Sequence, residues 1–237
     1  MPLNCNQADY EFLKAIREVT PGQIALYGEY PNVDVASQYS DCNINYYFLT
    51  AGQRLFCPTY DDRPAGHGLS PMPLNVYRYL FPRIVQLDLP LAVRHGSWHE
   101  LKFTFFHGEA IYDSYWVRDE SKGHAFMVRA YDLKKEYKDC FTSDRPEMLV
   151  PTEQTGLCAN RFPGQGRTLW TLYNRRYTTL RGPALAVDHV DGAAYRDAWN
   201  NRPLTAEMRA GKAVIGLTLG PQEIGCIVQT SGGRLPK

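Results

Sequence analysis

No segment of this chain approaches the ~20 consecutive apolar residues that a membrane span requires. Its first residues, Met1-Pro2-Leu3-Asn4-Cys5-Asn6-Gln7, carry neither a basic n-region nor an apolar h-region. The chain therefore reads as soluble, with no membrane partner and no signal peptide of its own. The compartment stays open, because an upstream segment could carry such a signal. Basic excess is also missing: 26 Lys and Arg stand against 25 Asp and Glu, a net charge of +1, and the cations do not cluster. That removes the electrostatic case for nucleic acid, which usually leaves a basic stripe. The six cysteines, at 5, 42, 57, 140, 158 and 226, form no C-x-x-C pair. Zinc is not expected from them, and a chain of this size has no need of disulfides, so free buried thiols are expected.

Several catalytic signatures are absent as well. Gly66-His67-Gly68-Leu69-Ser70 departs from G-x-S-x-G, and there is no Walker-type lysine or dinucleotide fingerprint. Hydride and phosphoryl transfer fall away, and no cofactor is expected. His95 and His99 are four apart, a zinc-like spacing on a helix, but Gly96 and Ser97 place a helix start between them and no glutamate stands at 96 or 97.

Short strands punctuated by turns are present in the C-terminal part. Thr168–Tyr173, Ala184–Val187, Ala213–Leu219 and Ile224–Val228 are β-rich runs separated by Arg181-Gly182-Pro183, Asp191-Gly192 and Gly220-Pro221. Strands at this spacing argue for a small antiparallel β-sandwich. Gly164 and Gly166 sit before a strand, not a helix, so they read as a hairpin turn and not as a phosphate loop.

The first part alternates helix and strand patterns. Apolar residues at 12, 13 and 16 share a face of a helix capped by Asn6 or Asp9 and ended by Thr20-Pro21-Gly22. Gln23–Tyr27 reads as a buried parallel strand that stops at Gly28-Glu29-Tyr30-Pro31. A helix is predicted from Ser70-Pro71 to Phe81, a strand over Ile84–Leu87, and helices over Trp98–Phe106 and Lys122–Tyr137. This is the grammar of βα units, but roughly three of them cannot close an eightfold barrel. The predicted fold class is α/β plus all-β, a partial (β/α)8 (TIM) barrel over residues 1–143 followed by a β-sandwich over 144–237. An open barrel exposes a sheet edge, so self-association into a homo-oligomer is expected.

Ala159-Asn160-Arg161-Phe162-Pro163, Leu169-Trp170-Thr171-Leu172-Tyr173-Asn174 and Tyr195-Arg196-Asp197-Ala198-Trp199 resemble the C-terminal region of a poorly characterised glycoside-hydrolase-like family. That family places a β-sandwich after a (β/α)8 barrel. Leu26-Tyr27-Gly28-Glu29-Tyr30-Pro31 and Phe105-Phe106-His107-Gly108-Glu109 resemble its late barrel segments. The resemblance covers most of this chain but only the final portion of the family's length. It implies a carbohydrate partner and hydrolysis of O-glycosidic bonds by a carboxylate pair. The alternative is a non-catalytic carbohydrate-binding or structural module.

Such hydrolysis needs two carboxyl groups flanking the scissile bond, ~5 to 9.5 Å apart depending on stereochemistry. Glu29 directly follows an apolar strand, where barrel enzymes keep their chemistry, and is the first catalytic candidate. Glu109, with His107 beside it, is the second; loop packing is its other reading. Asp34 and Asp41 could bind sugar hydroxyls, or simply be loop aspartates. Aromatic residues make up 13% of the chain, and Tyr30, Tyr39, Tyr46, Tyr47 and Tyr60 concentrate after Glu29. Their rings suit stacking on a pyranose, with Tyr30, Tyr46 and Tyr47 the chosen substrate-binding candidates; rim packing is the alternative. Trp170 and Trp199 are expected in the core.

Overall fold

The computed structural model describes residues 5–29, 38–45, 74–88, 99–111 and 122–232. Helix α1 (Cys5–Val19) ends where the Thr20 hydroxyl and amide both donate to the Ile16 carbonyl, and Gly22 then takes a positive φ. Of its three predicted core positions, Leu13 and Ile16 are half-buried, whereas Phe12 is 65% exposed. Strands β1 (Tyr27–Glu29), β2 (Cys42–Asn45), β3 (Val85–Asp88) and β4 (Ala110–Ile111) form a parallel sheet in that order. Among the described residues the sheet is open, with β1 and β4 at its edges, and no closed barrel is formed.

Strand β1 lies further along the chain than the predicted Gln23–Tyr27. Leu26 is tied instead by local bonds: its amide donates to the Asp41 carboxylate (2.7 Å), and its carbonyl accepts from the Asp41 and Cys42 amides. Strand β2 was not predicted, and the connections contain α2 (Tyr77–Leu80) and α3 (His99–Phe106). After β4 come α4 (Lys122–Glu136) and the single turn α5 (Lys138–Phe141).

The remainder is antiparallel. Strands β5 (Leu157–Pro163), β6 (Arg167–Asn174), β12 (Ile224–Thr230), β8 (Ala194–Asp197) and β9 (Arg202–Leu204) form one sheet in that spatial order. Strands β10 (Ala206–Arg209), β11 (Lys212–Leu219) and β7 (Leu180–Asp188) form a smaller one. As predicted, Gly164 and Gly166 make the β5–β6 hairpin, closed by the Gly164 amide on the Arg167 carbonyl (2.9 Å).

Two cores result, and the alternation of strand side chains separates them. Leu169 and Tyr173 of β6, with Cys226 and Val228 of β12, pack with Leu101, Phe105, Leu133 and Phe141 from the helices. Trp170, Leu172 and Ile227 point the other way, onto Leu185, Ile215 and Leu219 of the smaller sheet. Trp170 is thus a core residue, and Trp199 packs against the first core, half-buried.

The first core crosses residue 143, so the α/β and β parts are welded and not merely linked. Polar bonds reinforce the weld. The Phe106 carbonyl, at the C-terminus of α3, accepts from Asn160 Nδ2 (2.9 Å) and Thr171 Oγ1 (2.5 Å). Buried Lys102 donates to the Gln222 carbonyl (2.9 Å), and Arg167 pairs with Asp139. Cys42, Cys140, Cys158 and Cys226 are free thiols; Cys140 and Cys226 are buried, and burial pushes the Cys140 thiol up to about 12.

Candidate functional site

Because β1 to β4 run parallel, their carboxyl ends share one edge of the sheet. The strand-terminal residues there are Glu29, Asn45, Asp88 and Ile111. In α/β proteins this is the edge at which ligands and catalytic groups gather. Glu29 is the last residue of β1, so the strand delivers it where the sequence placed it. Tyr30, Asp34, Tyr46, Tyr47 and Tyr60 lie outside the described residues, as does His95.

Two other candidates stand at the opposite edge. Asp41 immediately precedes β2, where its carboxylate accepts from Arg17 Nη2 and the Leu26 amide, both at 2.7 Å. The Arg17 bond holds its carboxyl below the usual carboxylate range. Asp41 therefore joins α1 to the start of the sheet, at the edge away from Glu29. Nearby Tyr39 hands its carbonyl to Arg17 and packs edge-on against Tyr10, with ring centroids 5.5 Å apart.

Glu109 precedes β4 and is buried, with a carboxylate that accepts from Asn75 Nδ2 at 2.5 Å. Three strand spacings of about 4.8 Å separate β4 from β1, and the two glutamates lie on opposite edges. The structure thus engages the Glu109 carboxylate with Asn75 in a buried place at the amino edge, away from the strand end that carries Glu29. His107 is buried beside it, with Nδ1 3.3 Å from the Tyr79 hydroxyl.

Asp88 is an acid that sequence reasoning passed over, although it ends a predicted strand just as Glu29 does. It is fully enclosed and accepts a 2.5 Å hydrogen bond from Thr104 Oγ1 of α3. Burial pushes its carboxyl up to about 7, partly offset by the Thr104 bond and the positive Lys134. A carboxyl poised near neutrality is what acid–base catalysis requires. Its direction argues otherwise. Glu29 is registered with Ile44 and, through it, with Leu87, and Asp88 lies one residue beyond Leu87. The pleat turns Asp88 to the side of Gln86, toward α3. Asp88 belongs to a buried polar layer that also holds Asn43 and Gln86.

Among the described residues, no group of three or more His, Cys, Asp or Glu is placed to hold a metal ion. Nor is any helix among them long and apolar enough to cross a membrane.

No family model matches the sequence, and no curated protein matches it. Solved structures do. An α-amylase from Anoxybacillus superposes with a TM-score of 0.57 at 14% identity, covering 96% of this chain and 56% of its own. The α-amylase of Geobacillus thermoleovorans, solved with acarbose, gives 0.58 at 13% identity, covering 95% and 57%. A debranching enzyme from Nostoc punctiforme gives 0.55 at 13% identity, covering 96% and 56%. The chain thus spans little more than half the length of these structures. Over that span, it has the fold of an α-amylase-type glycoside hydrolase in part.

Proposed function

We propose that this chain is the C-terminal part of a glycoside-hydrolase-like protein, a partial (β/α)8 barrel over residues 1–143 followed by a β-sandwich over 144–237. In this reading it acts on carbohydrate by hydrolysing O-glycosidic bonds with a carboxylate pair, of which Glu29 is one member. The observation that carries the reading is Glu29 at the carboxyl edge of a parallel sheet, within a fold shared with α-amylases. The acarbose bound by the Geobacillus thermoleovorans enzyme supports a carbohydrate ligand for this fold. In this reading Glu29 serves as proton donor or nucleophile, and Tyr30, Asp34, Tyr46 and Tyr47, which follow it in the sequence, are sugar-contacting residues. With Glu109 and Asp41 at the other edge, the second carboxyl comes from a loop at the carboxyl edge or from a further strand.

The test is hydrolysis of aryl glycosides by the chain and by Glu29→Gln, with acarbose binding measured by calorimetry on both. Loss of a proton-transferring carboxyl should lower the rate by about 10²- to 10⁴-fold while acarbose still binds. Equal, nonzero rates would remove Glu29 from the mechanism. Binding without hydrolysis by the unmodified chain would favour a non-catalytic carbohydrate-binding module. The absence of both would leave the fold without this function.

A further inference from the structure

At the amino edge of the parallel sheet, away from Glu29, a cavity of about 270 Å³ opens between the start of β3, the start of β4 and the ends of α4 and α5. Among the described residues, its charged lining consists of cations: Arg78, Arg83, Lys134 and Lys138. In a chain with 26 basic and 25 acidic residues, four cations around one small cavity, with no carboxylate on its wall among the described residues, is a marked local imbalance. None of the four makes an ion pair among the described residues.

Their placement suits a ligand. Arg78 is held rigidly, buried with Nη2 on the Phe141 carbonyl at 2.8 Å. Arg83 and Lys138 are exposed at the mouth. Lys134 is the unusual member. Lysines ordinarily leave the stem on the protein and send the ammonium to water. Here the residue is half-buried while its Nζ is enclosed, with no hydrogen-bond partner, 5.8 Å from the centre of the Phe141 ring. The negative groups that act on it, Glu109 and Asp88, already accept from Asn75 and Thr104. Ile84 and Phe141 give the cavity apolar sides that exclude water and strengthen any charge pairing within it.

We propose that this cavity binds a phosphate dianion, free or carried by a small phosphorylated molecule, through Arg83 and Lys138 at its mouth and the inward-facing Lys134 and Arg78. A dianion matches several converging cations better than a monovalent carboxylate would, and the guanidinium groups offer forked donors suited to phosphate oxygens. Burial holds the Lys134 ammonium down to about 7, so an entering anion should draw a proton onto it.

The experiment is calorimetric titration of the chain with inorganic phosphate, with glucose 6-phosphate and with glucose, at pH 7.5 in two buffers of different ionisation enthalpy. Saturable binding of either phosphate but not of glucose, with net proton uptake, is the expected result. Tighter binding of glucose 6-phosphate identifies an ester as the ligand, whereas equal or tighter binding of inorganic phosphate identifies the free ion. The exposed pair Arg83→Ala and Lys138→Ala, which leaves the buried side chains in place, should weaken binding at least tenfold. No saturable heat from either phosphate, equal binding of glucose, or unchanged affinity in that double variant would overturn the proposal. Because none of these readouts involves Glu29 or hydrolysis, their failure is separable from failure of the glycoside-hydrolase reading.

Discussion

Phe162 offers the sharpest test of whether the two parts of the chain form one cooperative unit. It belongs to β5, yet it has no exposed surface and its ring faces across the junction. It lies 5.7 Å from the Phe141 ring and 6.4 Å from Tyr79, with the Arg78 guanidinium 5.6 Å away over its face. Gly108, at a positive φ, comes so close that an added Cβ would meet the Phe162 ring at 3.0 Å. Truncation to alanine removes transfer free energy and leaves a cavity that a crowded, multi-element site cannot close. The expected loss is about 3 to 5 kcal/mol. For a chain of this size that amounts to a fall of roughly 8 to 16 °C in Tm, taking about 4 kcal/mol and 2 to 4 °C per kcal/mol. Urea unfolding should be followed in parallel by the fluorescence of Trp170, with the other three tryptophans (Trp98, Trp116 and Trp199) replaced by phenylalanine in parent and variant alike, and by helix circular dichroism. Both probes should shift together in Phe162→Ala, whereas Phe12→Ala, at a 65% exposed residue, should stay within about 0.5 kcal/mol. A loss below about 1 kcal/mol, or a shift in one probe alone, would refute a shared core.

Two pH dependences follow from the carboxylates. Asp88 is raised to about 7 in the folded chain, above an unfolded value of about 3.9, so the folded state holds a proton that the unfolded state has lost. Its contribution to stability is full below about pH 4 and declines as pH rises toward 7; in Asp88→Asn, Tm measured across this range should flatten. Asp139 has the opposite sign, because its hydrogen bonds with Arg167 hold its carboxyl below the usual range. That stabilisation is present above about pH 4 and is lost as pH falls through the folded value, so Asp139→Asn should lower Tm at pH 7 and converge with the parent in acid.

Strong periodicity was legible in the sequence, and so was strand-end position. Helices α3 and α4 and strands β3, β6, β11 and β12 lie within a residue or two of their predicted bounds, because apolar spacing and turn residues agreed there. Strand β2 escaped notice because its sequence is Cys-Asn-Ile-Asn: the sheet buries Asn43 in a polar layer that no hydrophobic pattern announces. Strand β5 was hidden similarly by Asn160, which is buried because it serves the Leu149 amide and the Phe106 carbonyl. Glu29 stands out in the sequence because it follows an apolar strand run, and Asp88 could have been singled out by the same rule. What sequence could not supply was the edge on which a carboxylate stands. Asp41 and Glu109 are near strands in the chain, but they precede β2 and β4 instead of following them.

The carbonyl at the end of α3 has a consequence for how the molecule is made. Phe106 is synthesised well before Asn160 and Thr171, the two side chains that satisfy it. Until the β5–β6 hairpin has left the ribosome, neither of those side chains can reach the Phe106 carbonyl, and the Phe103 and Phe106 rings lack the Tyr173 ring that packs on them. The earlier segment thus gains part of its core only when the later one arrives, and translation that stopped between residues 143 and 174 would leave that core incomplete.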